Sequence, residues 1–233
     1  TRPEIDRRRI GLVGHSEGGI VAPRVAVASP EVAFVVLLAG VGVPMEELLV
    51  RQGADIARVL GASEDLIATN SAVQREIFRI LRQRQDDLLL EKQLREVLDR
   101  QLAGLTPEQR RALGATDDLI ENQVRIVITP WFRHLLSYDP RSALAKVRCP
   151  VLALNGERDL QVSAGENLPA IRAALIAGGN RDVTTTELPE LNHLFQRCQT
   201  GAVAEYGAIE ETFAPEALRT ISTWIQERTN PAR

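Results

Sequence analysis

The stretch "GLVGHSEGG", residues 11–19, constrains the fold of this chain more than any other. Gly14-His15-Ser16-Glu17-Gly18 fits G-x-S-x-G, in which the serine sits on a sharp, strained turn from a buried strand into a helix. The two flanking glycines are expected to be needed sterically, because a Cβ at either would keep strand and helix apart. The bare pattern arises by chance in about one chain in ten of this size at average Gly and Ser usage. Its context is more selective. "RIGLVG" before it reads as a short buried parallel strand, and "EGGIVAPRVAVA" after it reads as a helix closed by Pro30. The competing reading makes Ser16 an ordinary turn residue. Phosphate-binding readings are poor, since both G-x-G-x-x-G and G-K-[ST] are missing.

Around this turn the chain divides into three stretches. Residues 1–43 read β–α–β, with "VAFVVLLAG" as a second strand apolar at nearly every position and a right-handed crossover as the natural connection. Residues 44–140 change character, being rich in Leu, Arg, Gln and Glu at helical spacing. There Ile77, Leu81, Leu88, Leu94, Val97 and Leu98 are expected to line buried stripes. "TPEQ" at 106–109 reads as a helix start with Thr106 as cap, and no heptad is sustained, which excludes a coiled coil. Residues 141–233 return to α/β: strands at "CPVLALNG" (149–156) and "DVTTTELP" (182–189), and helices at 164–179 and 215–228. The predicted class is α/β with a mostly parallel sheet. Its core comprises 1–43 and 141–233, and 44–140 is a helical insertion.

A serine hydroxyl attacks poorly until a histidine takes its proton, and that histidine needs an acid to hold its tautomer. Strand ends in the C-terminal half supply both, in the order Ser, acid, His. "VLALNGERDLQV" places Asp159 beyond one strand, and "ELPELNHLF" places His193 beyond the next. Glu157 is a rival acid, and Asp159 has an alternative as a turn or helix cap. His193 is the histidine that follows the acid. His134 lies beside Trp131 and Phe132 in the helical stretch and reads as packed or surface. His15 precedes the nucleophile, with its side chain expected to turn away from substrate. The backbone N–H of Glu17 is the expected oxyanion donor.

Composition narrows the partners. Hydrophobic residues make up 44% of the 233 and charged residues 25%, as in ordinary globular chains. A net charge of −3 gives no footprint for nucleic acid or an anionic membrane surface. The longest apolar run, "VAFVVLLAGVGV", falls short of the roughly 18 residues a membrane span needs. The opening "TRPEIDRRR" has no apolar core of a signal peptide, which by itself leaves the compartment open. Cys149 and Cys198 are expected to be free thiols, and the histidines at 15, 134 and 193 have no zinc-ligand spacing, so no metal is expected.

The blocks "RIGLVGHSEGG", "NGERDLQV" and "LNHLFQ", in the order Ser16–Asp159–His193, resemble the α/β-hydrolase superfamily. Their wording, with the tail "TGAVAEYGAIEETFAPEALRTISTWI", is similar to bacterial serine esterases of the EstD type, relatives of serine-aminopeptidase-like hydrolases. The resemblance covers nearly the whole chain and is weakest over 44–140. It implies a partial α/β-hydrolase fold in which the insertion is a cap or lid. The implied activity is cofactor-free hydrolysis of small to medium acyl esters through a Ser-His-Asp triad and an acyl-enzyme. Peptidase, thioesterase and acyltransferase chemistry share that machinery, and a non-catalytic binding scaffold is a reading of another class. The family places several strands before the nucleophile strand, whereas about nine residues precede it here. The expectation is therefore a C-terminal portion of a longer hydrolase, with a sheet of about four strands, the nucleophile strand at its edge, and a third possibility of an inactive fragment.

Overall fold

The computed structural model describes residues 2, 4–83, 86–104, 106 and 117–229, which fall into two compact units, Thr1–Leu60 with Asp139–Arg233 and Gly61–Tyr138. In the first unit the sheet is built from β1 (Leu12–His15), β2 (Val35–Leu38), β3 (Val151–Gly156) and β4 (Val183–Leu188). Its order is β1-β2-β3-β4 and every pair is parallel, with Val35 facing Val151 and Val151 facing Val183 across the ladder. Every residue of β2 and β3 is buried, which is why their sequences are apolar without alternation. β1 is an edge strand of the described sheet, and Val13 on it is 58% exposed.

Helices cover both faces. α1 (Gly18–Ala28) and α8 (Ala164–Ala177) carry Ala22, Leu168, Ile171 and Leu175 into a cluster with Val35, Leu37, Val151 and Ala153. On the opposite face lies α9 (Pro215–Thr229), whose Trp224 packs edge-on against Phe34. The Trp224 indole N–H donates to Thr184 Oγ1 at 3.0 Å, satisfying the one polar atom of a 5% exposed ring. α2 (Met45–Val59) and the short α7 (Arg141–Leu144) belong to the same unit. Asn167, fully buried in α8, accepts from the Gly42 N–H at 2.8 Å and so ties that helix to the loop after β2.

The second unit is helical: α3 (Glu64–Leu81), α4 (Asp87–Ala103), α5 (Asp117–Val127) and α6 (Pro130–Leu136). Ser63, Asp86 and Thr129 cap α3, α4 and α6 through their side-chain oxygens, which satisfies N–H groups that a helix start leaves orphaned. Leu81, Leu94 and Val97 are buried as expected, while Ile77 and Leu98 are half-buried. Leu88 departs from the expectation, being 78% exposed. α4 begins at Asp87, so Leu88 falls in its first turn on the solvent side and Leu90 takes the buried place. Residues 107–109 of the expected "TPEQ" helix start lie outside the described residues. Among the described residues, no helix is long and apolar enough to cross a membrane.

Candidate functional site

The turn after β1 adopts the strained geometry its sequence suggests. Ser16 has φ 54°, a left-handed conformation uncommon for a residue with a side chain, which costs on the order of 1 kcal/mol or more. Its N–H donates to Leu38 O at 2.8 Å, anchoring it to β2, and Glu17 is the N-cap residue of α1. The glycines divide the steric load differently from the sequence expectation. A Cβ on Gly14 would stand 2.1 Å from the carbonyl oxygen of Gly18, so Gly14 is indispensable. A Cβ on Gly18 would meet open space, whereas one on Gly19 would stand 2.9 Å from Gly40 Cα. The helix turns Gly18 outward and Gly19 toward the loop after β2. The second glycine the close packing requires is therefore Gly19, one residue past the motif.

Asp159 and His193 come from different strand ends and meet. His193 Nδ1 donates to Asp159 Oδ2 at 2.9 Å and lies 3.1 Å from Oδ1. Both residues are 4% exposed. The same Oδ1 accepts from the backbone N–H groups of Gln161 and Val162, each at 2.9 Å, so the carboxylate is fixed before it meets the imidazole. A carboxylate only accepts, so Nδ1 carries the proton, and in the neutral ring Nε2 is left with a lone pair. Glu157, the rival acid, is exposed and accepts from the Glu190 N–H at 2.9 Å, pinning the loop that leads to His193. His134 is exposed on α6 in the other unit. Cys149 and Cys198 are both free.

Sequence reasoning missed the residues that hold the His193 loop. Asn192, fully buried, accepts on Oδ1 from the N–H groups of Leu194 at 2.9 Å and Gln196 at 3.0 Å, and donates from Nδ2 to Gln196 Oε1 at 3.0 Å. Gln196 in turn donates to Glu211 O at 3.0 Å, and the Ala214 N–H donates to Phe195 O at 2.8 Å, tying the loop to the segment before α9. Glu190 (φ 62°) and Phe195 (φ 59°) bend the chain on either side of His193. Beside the acid, Gln161 Nε2 donates to the Tyr206 hydroxyl at 3.1 Å, and burial, aided by the Asp159 charge, raises the phenol above its ordinary pKa. Asn192 and Gln196 stand four residues apart, a spacing that names a polar pair only once the loop is known to fold back between them.

Residues 2–206 match the model of the alpha/beta hydrolase family, and the chain belongs to that family. Solved structures similar to it include an alpha/beta fold family hydrolase from Bacillus anthracis strain Sterne, with 15% identity and TM-score 0.43, covering 95% of this chain and 67% of that one. An esterase from Pyrococcus furiosus has 13% identity and TM-score 0.42, covering 94% and 54%. The acylaminoacyl peptidase of Pyrococcus horikoshii, uncomplexed, has 12% identity and TM-score 0.45, covering 100% and 26%. This chain thus spans from about a quarter to about two thirds of the length of these three. No curated protein matches the sequence.

Proposed function

We propose that this chain is a serine hydrolase that cleaves carboxylic esters of small to medium acyl groups. The observation that carries the proposal is the Asp159–His193 pair, whose geometry leaves Nε2 as a base at the end of the sheet where Ser16 holds its strained turn. In this scheme Ser16 Oγ attacks the ester carbonyl while His193 Nε2 takes its proton, and Asp159 stabilises the imidazolium. The carbonyl oxygen becomes an oxyanion, for which the backbone N–H of Glu17, at the positive end of α1, is the proposed donor. The imidazolium returns the proton to the departing alkoxide, leaving an acyl-Ser16. Water then attacks that acyl group, with His193 again as base, and releases the acid and the free serine.

Ester chemistry is preferred within the alpha/beta hydrolases for the similarity of the three blocks to EstD-type serine esterases. The low aromatic content, 4%, favours short acyl chains over a long lipid tunnel. The helical stretch 44–140, of which Gly61–Tyr138 forms a unit of its own, enters the proposal as a cap or lid on its place in the chain after β2. Fluorophosphonate labelling with mass-spectrometric mapping tests the nucleophile: the label is expected on Ser16 and lost in Ser16→Ala. A panel of p-nitrophenyl esters from acetate to octanoate tests the substrate class. A folded chain that neither labels nor turns over any ester would overturn the reading in favour of a binding scaffold.

A further inference from the structure

His15 links the turn that holds Ser16 to the loop that holds His193. β1 and β4 are the outer strands of the order β1-β2-β3-β4, so no strand ladder ties the end of one to the end of the other. The loop after β4 brings His193 back to the end of β1, where the side chain of His15, the last residue of β1, meets it: its Nε2 lies 2.8 Å from the backbone oxygen of His193. A carbonyl only accepts, so the proton sits on Nε2 of His15 and the bond is a donation. The ring also packs against the His193 imidazole, with centroids 4.8 Å apart and planes at 48°, and lies edge-on to Phe195 at 6.3 Å. Phe195 is itself fully buried and stacked on Phe213 at 5.2 Å, which gives the contact a rigid backing.

We propose that His15 is a positioning residue for the base, fixing the His193 backbone and ring relative to the turn that holds Ser16. The inference rests on His193 serving as that base. Asp159 and Asn192 hold the loop from the β3 side and from within, and neither of them sets its distance from β1. His15 sets that distance, because its own backbone is continuous with Ser16. It needs both halves of the imidazole, the N–H for the carbonyl and the flat face for the neighbouring ring.

The test uses the full chain with 15N-labelled histidine and two variants, His15→Phe, which keeps a ring without the donor, and His15→Gln, which keeps a donor. The downfield proton resonance of His193 Nδ1–H, assigned by its loss in His193→Gln, reports the bond to Asp159 without any turnover. His15→Phe is expected to broaden or shift it, and His15→Gln to restore it in part. In fluorophosphonate kinetics the limiting labelling rate is expected to fall about 10- to 100-fold in His15→Phe with little change in the concentration giving half that rate, the cost of a misplaced catalytic group. His15→Gln recovers part of it. An unaltered resonance in a folded His15→Phe protein overturns the proposal, as does an unaltered limiting rate. If the wild-type chain fails to label, the hydrolase reading falls and the positioning of a base falls with it; if the wild-type chain labels, the resonance and the limiting rate of the His15 variants decide the proposal alone.

Discussion

His193 Nδ1 meets both oxygens of Asp159, at 2.9 and 3.1 Å, while the nearer backbone holds one of those oxygens through the N–H groups of Gln161 and Val162. This arrangement makes Asp159→Asn informative. The two backbone donors will retain the amide oxygen and turn its NH2 toward His193. The imidazole must then accept on Nδ1 and carry its proton on Nε2, so it cannot serve as base. Labelling of Ser16 is expected to slow by about 10⁴-fold with the fold intact, the size such a tautomer reversal has in serine proteases. Glu157→Gln, which leaves the pair in place, is expected to cost less than about tenfold, on the same labelling assay.

The glycines of the Ser16 turn are predicted to separate in stability. Gly14→Ala drives a methyl into the Gly18 carbonyl and is expected to cost at least about 3 kcal/mol or to prevent folding. Gly18→Ala adds a methyl in open space on a helical residue and is expected to be neutral or stabilising by up to about 1 kcal/mol. Urea unfolding midpoints of the two variants check the order, and a Gly18→Ala protein less stable than Gly14→Ala would contradict it.

Asn192 tests how the histidine loop is held. Asn192→Ala strands the N–H groups of Leu194 and Gln196 in a buried site, at a cost of about 2–4 kcal/mol. The same change frees the loop, so labelling of Ser16 is expected to slow even at temperatures where circular dichroism shows the variant folded.

The thiols are predicted to be quiet. Burial raises both the Cys149 and the Cys198 thiols above their ordinary pKa, and the Glu205 charge adds to the shift at Cys198. Raised values mean little thiolate at neutral pH, and thiolate is the reactive form. Disulfide-exchange reagents are expected to react slowly with the native chain and to count both thiols at once in denaturant.

Much of this architecture was legible in order along the chain. The unbroken apolar runs at 35–38 and 151–154 told of strands covered on both faces, because only burial on both sides removes the alternation. Gly14 and Ser16 declared a strand-to-helix turn, and Asp159 and His193 followed at strand ends in the order Ser, acid, His expected to follow a G-x-S-x-G turn. What the sequence by itself determined, then, was the local geometry, the parallel class and the candidate acid and base, since each follows from neighbours close in the chain.

Tertiary structure decided between alternatives that local sequence only ranks. Asp159 and Glu157 stand two residues apart with the same chemistry, and only the fold of the loop after β3 sends one carboxylate to His193 and the other to the Glu190 N–H. Gly18 lies within the motif and Gly19 one residue past it, yet the helix turns the first to open space and presses the second toward Gly40. The bond from His15 to the His193 carbonyl joins residues 178 positions apart. No spacing rule reaches such a pair, because the contact exists only once strands distant in the chain have been brought into one sheet.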